Sequence, residues 1–306
     1  SMSASPPAAA ERDTWIQVDA PALIAAGSAA LCLGLLGNFL VLRRQSLLGD
    51  ALSHAVLPGL VIAWLITGTR SAPVMLLGAL AAAGLAVVLI DLVGRATRLE
   101  PSAALGVVFS LMFALGVLLV STPAARKVDL DPDCVLFGQL ESQIWTLPGG
   151  AIPFSAEHLA QLPRGVWMPA CICALTLVVL WSAYRPLRRA SFDPSFAAVA
   201  GNRPGRWQQL TMILVAVAAV AAFEAMGSVL VIALLVCPAA PARLLTQRFA
   251  PQLLVSAGAA LLAVGLGYGT AVFASPALGQ ALGIPGLQSS LHGAGTIALT
   301  SGVLFL

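Results

Sequence analysis

Residues 34–68 read GLLGNFLVLRRQSLLGDALSHAVLPGLVIAWLITG. One apolar run ends on Arg43 and Arg44, and a second begins almost at once. Between them stand Asp50 and His54, four residues apart. Paired arginines between apolar runs mark a membrane edge, so two helices are expected here, joined by a short turn. Asp50 and His54 then fall where the second helix re-enters lipid. Ionisable groups in such positions are costly, and as a rule they face a protein interior or a watery path.

The whole chain shares this character. Its 306 residues are 59% hydrophobic and 9% charged, with mean hydropathy +0.93. Soluble domains carry about 25% charged residues, so the composition is that of a membrane protein. A span needs about 20 mostly apolar residues. Candidates are 21–42, 52–69, 72–94, 102–121, 166–184, 207–225, 227–246, 252–275 and 285–306, which makes nine, or eight on a stricter count. Backbone groups in lipid must pair within the segment, so these spans are helical and the fold is all-α. Residues 122–165 are too polar for a crossing and read as an outer loop with a half-helix. Residues 1–20 read as an extracytoplasmic segment lacking the basic n-region of a signal peptide, and 21–306 as one transmembrane domain.

Orientation follows from the basic residues. With the N-terminus outside, the inner loops hold eleven of the 16 Lys and Arg, among them Arg43, Arg44, Arg95, Arg98, Arg185, Arg188 and Arg189. The outside keeps Arg12, Arg70, Arg126, Lys127 and Arg164. That asymmetry follows the positive-inside rule. The outer loops then carry most of the carboxylates, which suits a cationic solute or a basic partner, or reflects only that acidic residues are unconstrained there.

Three ionisable residues stand inside spans: Asp50, His54 and Glu224. On a helix, positions four apart share a face, so Asp50 and His54 can offer a carboxylate oxygen and an imidazole nitrogen to one point. That pair suits manganese, zinc or iron without choosing among them. The plain alternative is a helix-start aspartate and a histidine bonded to backbone. Asp91 and Arg95 read as an ion pair at a span end. The five cysteines form neither a disulfide framework nor a zinc knuckle. No HExxH helix, GxSxG elbow or GxxxxGK[ST] phosphate loop occurs, so the chain does not read as an enzyme and does not bind ATP through such a loop.

Five ordered blocks together resemble the membrane permease of the zinc/manganese/iron class of ABC importers. They are 34–68 above, LEPSAALGVVFSLMFALGVLLVS (99–121), DLDPDCVLFGQLE (129–141), SFDPSFAAVAGNRP (191–204) and EAMGSVLVIALLVCPAAPARLLTQRF (224–249). Pro132 and Asp133 look inserted in the third block, and Cys134 stands where many relatives have a histidine. The resemblance implies a cobalamin-permease-like bundle in a bacterial inner membrane, with Asp50 and His54 contacting the transported Mn2+, Zn2+ or Fe2+. Manganese is favoured, because a carboxylate site without thiolate suits a harder ion. No cofactor is held permanently, and Glu224 and Asp133 are candidate path or gate residues. It further implies a second permease, identical or paralogous, two ABC ATPase subunits, and a metal-binding lipoprotein or periplasmic protein; nucleic acid is not a partner. Within 191–204, Phe192, Asp193, Phe196 and Gly201 would form a cytoplasmic coupling helix for the ATPase. The competing reading is a proton-coupled secondary transporter using Asp50, His54 and Glu224 as a relay.

Overall fold

The computed structural model describes residues 18–43, 45, 48–69, 71–97, 100–121, 140, 163–192, 194–199, 201, 203–274 and 292–305. Its hub is α1 (Ala20–Leu42). Ala22, Ala25, Ala26, Ala29 and Ala30 are buried on its first half, and Leu33, Leu36, Phe39 and Leu40 on its second. A helix buried on nearly every side must be apolar all round, and small residues let neighbouring backbones come close. Around α1 pack α6 (Arg164–Ser182), α9 (Pro204–Met226), α10 (Ser228–Val236) and α12 (Phe249–Gly269). Gly37 is the tightest point: a Cβ there would run into the Leu235 carbonyl of α10.

The expected span over 52–69 is two shorter helices, α2 (Leu48–Ala55) and α3 (Leu57–Thr67). Pro58, in the first turn of α3, has no N–H to give and its ring blocks continuation from the preceding turn. Beyond the break α3 lies against α4 (Ala72–Thr97) through a glycine crossing. A Cβ at Gly59 would collide with the Gly78 carbonyl, and one at Gly78 would stand 2.5 Å from the Ala63 Cβ. Gly116 of α5 (Pro101–Val120) plays the same part beside Leu57 and Pro58.

After α6 come α7 (Tyr184–Phe192) and α8 (Pro194–Val199), then α9. Only Gly227 separates α9 from α10; α11 (Ala239–Leu245) follows, and α13 (Gly293–Val303) packs against α12 and α10. Among the described residues every regular element is helical. Seven helical stretches there are long and apolar enough to cross a bilayer, with Leu57–Thr67 a shorter apolar helix. Of the expected last span, 285–291 lie outside the described residues, as does nearly all of the expected half-helix region 122–165. The outer faces of α4, α5 and α6 expose Leu77, Leu85, Val88, Leu92, Leu111, Leu118, Leu175 and Val178. An apolar surface of that extent suits lipid and not water.

Candidate functional site

On α2 the residues Leu48, Ala51, Leu52 and Ala55 are buried, three and four positions apart, and turn inward. Position 54 falls on the other side, where the half-buried His54 ring meets two phenylalanines of α5. Its centroid lies 5.4 Å from Phe109 and 5.3 Å from Phe113, both edge-to-face. Phe109 and Phe113 stack on each other at 6.1 Å, one helical turn apart. Phe113 is 40% exposed, so this face borders the surface of the single chain and not its core. Asp50 stands one turn before His54 on the same helix; its side chain lies outside the described set. Among the described residues no three His, Cys, Asp or Glu side chains converge.

A second polar centre gathers at the basic end of the bundle. Arg43, just after α1, donates to the Gln208 carbonyl of α9 at 3.4 Å and to Ser191 Oγ of α7 at 3.3 Å. Burial lowers its pKa to about 10, which still leaves the guanidinium charged at neutral pH. Asp91 of α4 holds Arg95 at 2.8 Å and accepts a 2.8 Å bond from Gln209 Nε2 of α9. Nearby, Phe192 and Phe196 line a 310 Å³ cleft with Arg188, Arg189 and Phe249. Phe192 meets Phe249 edge-to-face at 5.6 Å, and the Arg243 guanidinium lies 5.6 Å from the Phe192 centroid.

The model of a family described as the ABC 3 transport family matches residues 16–144 and 159–282. The chain belongs to the ABC 3 transport family. It is 36% identical over 235 residues to the manganese transport system membrane protein MntD of Bacillus subtilis, covering 77% of each chain. It is 38% identical over 218 residues to the zinc transport system membrane protein TroD of Treponema pallidum, covering 71% of this chain and 56% of that one. Among solved structures it resembles PsaBC from Streptococcus pneumoniae, in complex with Fab, with TM-score 0.65 and 25% identity over 93% of this chain and 88% of that one. As a permease of the ABC 3 family, the chain is a multi-pass membrane transport component and not an enzyme.

Within this ABC 3 permease the expected site residues fall in three places. His54 and position 50 share α2. Glu224 is exposed in the last turn of α9. At 1.5 Å per residue it stands about 24 Å along that helix from Gln208, near the opposite end of the bundle from Arg43. Phe192 and Phe196 meet at one cleft, although they belong to different helices: Phe192 closes α7 and Phe196 lies in α8. The segment 191–204 thus holds the end of α7 and the short helix α8, and Gly201 follows the end of α8 with φ 77°. Asp133 and Asp193 lie outside the described residues. Asp91 and Arg95 form the ion pair that their spacing suggests.

Sequence reasoning missed Phe109, Phe113 and Gln209, as well as the buried amides at the centre. Asn38 donates to the Gly34 carbonyl at 2.8 Å, and Gln252 of α12 donates to Asn38 Oδ1 at 2.9 Å. The available signal was an asparagine and a glutamine within apolar helices, where unpaired amides cost several kcal/mol.

Proposed function

We propose that the chain is the transmembrane permease of an ATP-driven importer of divalent transition metal ions, manganese before zinc or iron. The supporting observation is the placement of the Asp50 and His54 positions, one turn apart on a short helix whose other side is packed. One relative is a manganese and another a zinc transport protein, which supports a divalent transition metal ion as cargo. Aspartate oxygen and imidazole nitrogen make a weak, few-ligand site from which an ion can leave as well as enter. Since the His54 face borders the surface of one chain, a second permease, identical or paralogous, completes the path. Two ATPase subunits dock at the 191–204 segment, and a binding protein delivers metal at the other end. The N-terminus lies outside, residues 21–306 form one domain of nine spans in a bacterial inner membrane, and Glu224 and Asp133 are the candidate path or gate residues. ATP binding and hydrolysis in the partners rock the two permeases between outward- and inward-open states; the chain itself makes and breaks no bonds.

ATP-driven uptake of Mn2+, Zn2+ and Fe2+ by the reconstituted complex, measured side by side, tests this reading. Asp50→Asn keeps shape but loses charge, and His54→Ala removes the nitrogen donor; each is expected to cut uptake at limiting metal at least tenfold. Melting temperature is expected to stay near wild type in both. Uptake near wild type in both variants would remove the metal site, and uptake without the ATPase would support the proton-coupled reading.

A further inference from the structure

We propose that Trp181, Arg185 and Arg188 form a binding site for the headgroup of an anionic phospholipid at the basic end of the bundle. The outward stripe of α6 runs through Leu175, Val178 and Trp181, which are 50%, 61% and 87% exposed. Only Ala183 interrupts the helix before α7, with φ −103° and ψ 14°, so the stripe carries on to Arg185 and Arg188, both exposed. The opposite side of α7 buries Leu187, Ala190 and Ser191. Arg185 is therefore exposed directly beneath a lipid-facing surface, and Arg188, also exposed, stands between that surface and the cleft it helps to line.

Depth and charge both suit a headgroup. Tryptophan rings favour the level where acyl chains meet headgroups, and Arg185 follows Trp181 by about 6 Å at helical rise. Guanidinium forks match phosphate oxygens two at a time. Arg188 is steadied by the Tyr184 ring, 5.8 Å from its centroid. From Arg164 to Phe192 the chain has no Asp or Glu, so nothing on these two helices competes for the guanidiniums. A zwitterionic lipid brings its own cation to this site, whereas an anionic lipid brings none. The partner chosen is therefore a phosphate-bearing lipid with net negative charge. Arg189, the next residue round the helix, lines the same cleft as Arg188, with Phe192 and Phe196, whereas Arg185 does not line it.

Native mass spectrometry of the purified full chain, titrated with phosphatidylglycerol and phosphatidylcholine of identical acyl chains, reads this out. Wild type is expected to retain phosphatidylglycerol preferentially. Arg185→Gln is expected to reduce that retention about fivefold, as for one basic residue near an anionic membrane surface. Arg185→Gln with Arg188→Gln is expected to remove the preference, while Arg248→Gln leaves it intact. If the double variant does not fold, as judged by its melting profile, the Arg185→Gln and Trp181→Ala single variants decide. Equal retention of the two lipids by wild type would overturn the site. So would variants that keep the lipid preference but lose copurifying ATPase, which would assign these arginines to a protein partner.

Discussion

Gly227 has φ 78° and ψ 167°, a region open to glycine and strained for every other residue. It alone joins α9 to α10, so the break between the two helices rests on a single residue. Gly227→Ala is expected to cost about 1–3 kcal/mol through backbone strain. Gly59→Ala is expected to cost a similar amount by overpacking, since its Cβ would also stand 2.6 Å from Ala82. Gly84→Ala meets nothing within 4 Å and is expected to leave stability unchanged or slightly higher. Melting of the three variants in detergent checks this, and equal shifts in all three would contradict it. The same contrast explains what the sequence disclosed at this scale. Asp50 and His54 stood out as candidates because a charge or imidazole inside an apolar run is expensive and demands a reason. Phe109 and Phe113 were not, because phenylalanine in a span looks the same whether it meets lipid or clasps a histidine ring.

Between elements, α9 is the member that connects the basic end to the His54 helix. Its first turns are tied to α1 and α7 through Arg43 and to α4 through Gln209, and its body packs against α2. It also begins where the proposed coupling segment ends. Of these ties the Gln209–Asp91 bond matters more than the Asp91–Arg95 pair. Arg95 is 64% exposed, and such surface pairs contribute about 0.5 kcal/mol. A hydrogen bond to a partly shielded carboxylate contributes about 1–2 kcal/mol. Gln209→Leu is therefore expected to lower metal transported per ATP hydrolysed severalfold while the ATPase remains bound. A purely structural role would lower uptake and hydrolysis together and leave their ratio unchanged. Arg95→Gln is expected to alter neither by more than a factor of two. At this scale the apolar runs located most helices to within a few residues, because hydropathy and length suffice to mark a span. The break at Val56 was harder to foresee. Proline is tolerated in many transmembrane helices, and the close packing of Gly59 and Gly116 beside Pro58 is visible only in the folded chain.

Across the molecule, charge is sorted by end. Arg43, Arg95, Arg188, Arg189 and Arg243 all take part in contacts at the end where α1 finishes and α9 begins. At the other end Tyr268 donates a 2.7 Å hydrogen bond to Asp19, joining the start of α1 to the end of α12. Helices only 20–26 residues long keep these two ends a bilayer apart. The partition of basic residues that was legible in the sequence thus reappears as one basic end, through contacts between helices far apart in the chain. The proposed orientation, which follows the positive-inside rule, puts that end and residue 195 inside and residues 15 and 157 outside. Single cysteines at these positions in a cysteine-free chain test it in intact cells. Impermeant maleimide is expected to label 15 and 157 without permeabilisation and to reach 195 only after it. Residue 195 is the decisive position, because Ser195 is exposed in α8 and so, in cells lacking the ATPase, fails to react only when the membrane stands in the way. Labelling at 195 in unbroken cells would invert the molecule. It would also place the Phe192–Phe196 cleft on the side where no ATPase can reach it, and the coupling proposal would fall with the topology.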